Sequence, residues 1–271
     1  MRVVGGVARD LACAGQCVQD TRVRLPVMVV GSENTSESGV YDVIIVGGRP
    51  AGASLAIWLG RAGIRVLIVD QANFPSPHPA SAPFLLPHAL AILDELGLQE
   101  SVYARDTPKI TSFVLEIGDY FRSILPFKSG LAGRDYFYTI DRFRFDGALW
   151  QALEGLPTVR SLEGTKVVEL LKDEQGRVLG VTLDRGEGVH EEHRAGAVIG
   201  ADGRFSTVAR LVGAATTEER DDVQTTVYYD YWQSIKNYHD SGEVLAQIYS
   251  SCDGFSLLGM PTVDDQTIIL V

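Results

Sequence analysis

Three short stretches hold residue types that can do chemistry. The first is Gly47-Gly48-Arg49-Pro50-Ala51-Gly52. A pyrophosphate binds where the free N–H groups and the dipole of a helix N-terminus favour negative charge. Three glycines ordinarily allow this: one for the tight turn, one for close phosphate approach, one for helix–strand contact. Gly47 and Gly52 fill the first and third positions, and Arg49 stands in the second. Two arrangements of Arg49 are open. Its side chain points outward and leaves the N–H available, or its guanidinium itself contacts a phosphate. Gly48 and Ala51 complete the candidate contacts of this turn.

The second stretch ends in Asp70. It lies about 20 residues beyond the glycines, where an acid accepts from the ribose hydroxyls of an adenosine. A lone acid at a strand end reads as a cap or a turn residue; beside this turn, the ribose role is favoured. An acid here also argues against a ribose 2′-phosphate. The third stretch is Gly200-Ala201-Asp202-Gly203-Arg204-Phe205-Ser206. Asp202 either caps the helix that follows or holds the hydroxyl chain of a cofactor, and Gly203 shapes the turn. A fourth feature is Arg142, just ahead of a helix. Its plainest role is a surface ion pair with Asp146, worth little in stability.

These residues need elements to position them. Tyr41–Val46, apolar but for Asp42, reads as the run that a strand buried on both faces requires. A helix is predicted over Ala53–Ala62, ended by Gly63. Arg65–Val69 is a second apolar strand, which completes a βαβ unit within about 30 residues. Phe74–Pro87 is a Pro/Ser-rich loop, and Pro87–Leu96 a helix. Segments 111–117 and 120–127 alternate as a hairpin, and Phe143–Leu153 is helical. Lys166–Lys172 and Val178–Leu183 form another hairpin. Ala197–Gly200 is a short buried strand, and Val223–Val271 holds three strand-like runs. Residues 1–40 end in the polar stretch Gly31–Gly39 and read as a poorly ordered extension. The alternative is a strand at Val27–Val30 docked on the main body.

Composition narrows the function classes. The 271 residues are 45% hydrophobic and 22% charged, which is globular composition. The net charge is −11, from 24 basic and 35 acidic residues, which argues against a nucleic-acid binder. Cys13, Cys17 and Cys252 give neither a disulfide framework nor a zinc site, so a reducing, cytoplasmic setting is expected. No apolar run reaches the ~18 residues of a transmembrane helix. His78, His88 and His239 lack metal-ligand spacing. The run Thr226–Trp232 reads as an aromatic wall over an apolar substrate or as ordinary cross-strand aromatic packing.

Together the motifs resemble the FAD-dependent monooxygenases of the para-hydroxybenzoate hydroxylase type, relatives of the geranylgeranyl-reductase-like flavoproteins. The resemblance covers residues 41 to about 270. The family's fingerprint matches Asp42–Ala56, and its ribose acid matches Asp70. Its Arg-x-x-Leu-Asp pattern matches Arg142–Asp146. Its Gly-Ala-Asp-Gly-x-x-Ser-x-x-Arg motif matches Gly200–Ala209 up to Arg210, with one residue inserted before the arginine. A branch of the family carries arginine at the middle glycine. Gln71 replaces the basic residue that usually follows the ribose acid, and the loop 76–83 lacks a counterpart to an arginine that often approaches the pyrophosphate. The further Gly-Asp-Ala motif of complete members does not occur, so the chain reads as C-terminally truncated.

The resemblance implies an α/β fold: a Rossmann-like FAD-binding domain, with a parallel sheet and a β-meander, plus part of a mostly antiparallel substrate domain. Residues 41–110 and 134–222 would form the first, and 111–133 and 223–271 the second. It implies bound FAD, NADPH or NADH as co-substrate, molecular oxygen, and an aromatic or polyketide-like small molecule to be hydroxylated. The implied cofactor contacts are Gly47, Gly48, Arg49, Ala51, Gly52, Asp70, Arg142, Asp202 and Gly203; no catalytic acid or base stands out. A reductase of isoprenoid double bonds is the alternative within the class, and a non-catalytic FAD-binding fragment the alternative outside it. A halogenase is disfavoured, because Gly254–Pro261 lacks paired tryptophans. Substrate, choice of NADH or NADPH, and oligomeric state are not encoded in these motifs.

Overall fold

The apolar run at the start becomes β1 (Val40–Val46), and its alternation assigns two faces at once. In the computed structural model, which describes residues 40–77, 84–130, 133–186, 188–217, 226–236 and 243–271, Ile45 joins one hydrophobic core, and Ile44 and Val46 join another. The chain then runs through α1 (Pro50–Arg61), β2 (Val66–Val69), β3 (Phe84–Leu85), α2 (Pro87–Glu95) and α3 (Glu100–Tyr103). A hairpin follows, β4 (Ser112–Ile117) and β5 (Phe121–Pro126), then β6 (Tyr138–Thr139) and α4 (Arg142–Gln151). Next come β7 (Val159–Leu162), β8 (Lys166–Lys172), β9 (Val178–Asp184), β10 (His190–Gly200) and α5 (Thr207–Val212). The last strands are β11 (Tyr229–Gln233), β12 (Leu245–Ser250), β13 (Ser256–Pro261) and β14 (Gln266–Leu270).

The strands form two six-stranded sheets and a short pair, β3–β6. The first sheet has the order β7-β2-β1-β10-β9-β8. Its β7, β2, β1 and β10 run parallel, and β10, β9 and β8 continue as an antiparallel meander. The register decides where the site lies. Val46 pairs with both Val69 and Gly200, so Gly47, Asp70 and Ala201 leave the sheet at one level. This is the carboxyl edge of the parallel strands, where open α/β sheets bind ligands. The second sheet, β11-β14-β13-β12-β4-β5, is antiparallel except for the parallel pair β4–β12. The fold is α/β with parallel and antiparallel sheets.

One core sits between the first sheet and α1, α2 and α4, with Ile45, Ile68, Ala53, Ile57, Leu90 and Leu149 at its centre. The other face carries Leu67, Val69, Val167, Val181 and Val208. The second sheet has its own smaller core, where Phe113 stacks on Phe137 with ring centres 5.0 Å apart.

Several elements differ from their sequence reading. Helix α1 begins at Pro50, not Ala53, because proline's fixed φ suits the first helical position and its missing N–H is not needed there. Strand β10 spans eleven residues, not four: its polar first half is the part that pairs with β9. The C-terminal part holds four described strands, not three. Val27–Val30, His78, His239, Cys13 and Cys17 lie outside the described residues, as does the extension up to residue 39. Among the described residues, no helix is long and apolar enough to cross a membrane.

A polar cluster ties α3 to β6. Glu100 accepts from the hydroxyls of Tyr138 at 2.8 Å and Tyr136 at 3.0 Å, and from Arg134 Nε at 2.8 Å. Burial pushes its carboxyl pKa up, but these three partners together outweigh burial and hold it below the usual 4.5. A depressed folded pKa means the stabilisation is complete above 4.5 and lost as pH falls through the lowered folded value. Glu100→Gln is therefore expected to cost about 2 kcal/mol at neutral pH. Urea unfolding from about pH 7 down to pH 3 should show a shallower acid loss in the variant than in the wild type.

Candidate functional site

The glycine turn is built by close contact rather than by flexibility. Gly47 has φ +102°, and a Cβ there would lie 2.4 Å from the Ala201 carbonyl oxygen. A Cβ on Gly52 would lie 1.8 Å from the Gly47 carbonyl oxygen. A Cβ on Gly48 would lie 2.1 Å from Cζ3 of Trp150 on α4. The turn is thus closed on three sides by backbone and by an indole ring. Ala53 N–H makes the first intrahelical bond of α1, to the Arg49 carbonyl at 2.9 Å. The amides of Arg49, Ala51 and Gly52 precede it and open the helix N-terminus. Ala51 is exposed, and Gly52 is buried.

Asp70 stands at the end of β2 and reaches back to this turn. Its Oδ2 accepts from Gly48 N–H at 2.7 Å and its Oδ1 from Ala72 N–H at 2.8 Å. Each carboxylate oxygen has a second lone pair to offer. Asp202 follows β10, and the structure shows its capping role. Its carboxylate accepts from Ser206 Oγ at 2.6 Å, Thr207 N–H at 2.6 Å and Val208 N–H at 3.2 Å. Gly203 sits at φ +80° in open space, a conformation only glycine adopts without cost. The contact of Gly47 with Ala201 brings the first and third sequence motifs into one site.

Arg142 and Arg49 meet on a residue the sequence reading undervalued. Asp146 is fully buried, so its pairing with Arg142 is not the surface ion pair expected. Arg142 donates from Nε to Oδ1 at 2.8 Å and from Nη2 to Oδ2 at 3.0 Å. Arg49 donates from Nη1 to Oδ2 at 2.7 Å. Of the two arrangements open for Arg49, the structure shows the guanidinium directed to Asp146. The i, i+4 spacing of Arg142 and Asp146 is visible in the sequence; the bond from Arg49 spans 97 residues and is not.

Arg142 also lines a cleft of about 370 Å³ with Asp141, Phe143, Pro77, Tyr229, Tyr231 and Gln266. Burial, and then the Asp141 charge, push the Tyr231 hydroxyl pKa above its usual value. Of the aromatic run 226–232, Tyr229 and Tyr231 border the cleft, with Tyr229 half-buried, while Tyr228, Tyr231 and Trp232 are exposed. His88 is exposed on α2.

Comparison with known proteins decides the family. Residues 40–263 match the FAD binding domain family. The chain belongs to that family. It is 34% identical over 180 residues to 6-methylpretetramide 4-monooxygenase of Streptomyces rimosus, covering 64% of this chain and 40% of that protein. It is 31% identical over 172 residues to menaquinone reductase of Mycolicibacterium smegmatis, with the same coverage of 64% and 40%. The matched part thus spans 40% of the length of these curated relatives. A probable FAD-dependent monooxygenase of Pseudomonas aeruginosa superposes with a TM-score of 0.69 at 23% identity, over 85% of this chain and 60% of its own. That likeness speaks for the fold.

The residues present fit FAD. Helix-start amides face a turn in which each glycine is held against a neighbour by contacts that leave no room for a Cβ. A strand-end carboxylate with acceptor capacity lies at the same sheet edge.

Proposed function

We propose that this chain is the FAD-holding part of a flavoprotein monooxygenase. Its reductant would be NADH or NADPH, and its substrate an aromatic or polyketide-like small molecule. The observation that carries the reading is the junction of Gly47 with Ala201, which makes one site of two distant motifs. In this reading the amides of Arg49, Ala51 and Gly52 receive the pyrophosphate, and Asp70 accepts from the ribose hydroxyls. Gly48 keeps Asp70 on the turn, Arg142 stands at the mouth of the cleft, and Asp202 and Gly203 line the opposite side through the Ala201 contact.

When bound, FAD supplies electron transfer from NAD(P)H to oxygen, with one oxygen atom entering the substrate and the other leaving as water. The chain's own part is to bind, orient and exclude water. Tyr229, Tyr231 and Phe143 would give the cleft an apolar wall, with Gln266 and Arg142 as its polar points. The sparse cysteines support a cytoplasmic setting. The similarity to 6-methylpretetramide 4-monooxygenase supports a monooxygenase. The similarity to menaquinone reductase supports a second reading, a reductase of isoprenoid double bonds.

The test is an absorbance titration of the purified chain with FAD, followed by NAD(P)H oxidation with and without oxygen. A resolved, red-shifted flavin band is expected, with NAD(P)H oxidation that consumes oxygen in step. Oxidation that continues without oxygen and adds two hydrogens to an isoprenoid side-chain double bond, read as a two-dalton gain that persists after the quinol is reoxidised, would select the reductase. A folded chain that leaves the flavin spectrum unchanged would defeat both.

A further inference from the structure

Arg49 occupies the position where a glycine usually lets phosphate approach. Its backbone explains why a side chain is tolerated: φ is −77° and ψ −176°, extended geometry open to any residue. Its N–H is thus as available as a glycine's. The side chain is engaged elsewhere. Besides the bond to Asp146, Nη2 donates to Ser76 Oγ at 3.0 Å and to the Pro77 carbonyl at 3.1 Å. The guanidinium carbon also lies 5.6 Å from the centre of the Phe74 ring. Phe74 stacks on Trp150 at 4.7 Å, and Trp150 covers Gly48. One side chain therefore joins the turn, α4 and the segment 74–77.

We infer that the Arg49 side chain is a latch and not a phosphate ligand, and that Asp146 is the positioning residue that sets it. This rests on the FAD reading above. Asp146 has no exposure to water, so a guanidinium that left it for a phosphate would strip a buried carboxylate of one of its two counter-ions. The planar fork of arginine, unlike an ammonium, reaches Asp146 with one nitrogen and Ser76 and Pro77 with the other. The latch holds segment 74–77 and the indole of Trp150 against the turn, which fixes the helix-start amides that receive the cofactor.

The experiment measures FAD affinity by fluorescence quenching for the wild type, Arg49→Gly, Arg49→Lys, Asp146→Asn and the double variant Arg49→Gly/Asp146→Asn. Each is read at several salt concentrations, alongside thermal unfolding without FAD. A latch predicts that each single variant binds FAD about tenfold more weakly, the scale of one lost charge-assisted hydrogen bond. It predicts that the double variant is no weaker than Asp146→Asn, and that the salt dependence stays that of the wild type. A phosphate ligand predicts the reverse in three places. Asp146→Asn would tighten binding by freeing the guanidinium, Arg49→Lys would bind like the wild type, and Arg49→Gly would flatten the salt dependence. Any of these overturns the inference. The thermal cycle judges the latch without FAD: fully additive losses of Tm would overturn it, and non-additive losses support it. A wild type that binds no FAD would defeat the cofactor reading, leaving the latch to the thermal cycle alone.

Discussion

Replacing Gly52 by alanine is expected to abolish FAD binding and to lower the unfolding free energy by about 3 kcal/mol or more, the upper end of overpacking costs. The reason is a single methyl group with nowhere to go. Its carbon would lie 1.8 Å from the Gly47 carbonyl oxygen and 3.2 Å from Ile45 Cγ2. The first obstacle is backbone, so no rotamer relieves it. Gly47 has no room to retreat on that side either, because a Cβ built on it would already meet the Ala201 carbonyl and the Asp202 amide. The first turn of α1 must therefore move, and with it the amides of Arg49 and Ala51. Gly213→Ala is the control. Gly213 closes α5 at φ +71° with open space around it, so the change costs only about 1 kcal/mol of left-handed strain. FAD titration and urea unfolding of both variants check the pair. A Gly52→Ala chain that binds FAD within threefold of the wild type would show that this turn is not the cofactor seat.

The same geometry shows why this part of the fold was legible in the sequence. A parallel strand buried on both faces must be a continuous apolar run; β2 is one throughout, and β1 becomes one at Val43–Val46, past Asp42. Glycines that tolerate no Cβ are fixed by contact, so Gly47 and Gly52 stand out as residue types as well as positions. Asp70 was legible because strand length and helix length fix its distance from the turn. The start of α1 was less so, because Pro50 after Arg49 reads as turn chemistry until the helix is seen to begin on it. Strand β7, Val159-Arg160-Ser161-Leu162, was missed: three half-buried residues and one exposed arginine carry no period of their own. It is recruited by pairing with β2.

The candidate site was legible in its backbone and not in its side chains. Backbone–phosphate geometry follows from local turns, which sequence reports well. The Asp146 cluster depends on α4 lying beside the turn, a tertiary fact set by the core between α1 and α4. Trp150 belongs to the same class. It reads as one more apolar residue of an amphipathic helix, yet its ring forms the wall over Gly48. The cleft is a third case. Tyr229, Tyr231 and Gln266 come from two strands of the second sheet, while Asp141, Arg142 and Phe143 come from the start of α4. No spacing along the chain relates the two groups.

Asp70→Ala is expected to weaken FAD binding at least 100-fold while costing about 3 kcal/mol in stability, the scale of two hydrogen bonds to a charged group. The carboxylate joins two jobs in one residue. It anchors the turn through Gly48 N–H at 2.7 Å and the segment after β2 through Ala72 N–H at 2.8 Å, and in the proposed role it accepts from the ribose as well. Asp70→Asn separates the jobs. An amide oxygen can still accept from one N–H, but the amide nitrogen faces the other N–H as donor against donor. About half of the stability loss is therefore expected, with most of the affinity loss kept. An FAD analogue with 2′,3′-dideoxyadenosine, which keeps the pyrophosphate but lacks both ribose hydroxyls, provides the second axis. If Asp70 acts on the adenosine ribose, the wild type should bind FAD more tightly than the analogue, and Asp70→Ala should bind the two alike. Equal losses for the two ligands in the variants would mean that Asp70 acts only by holding the turn.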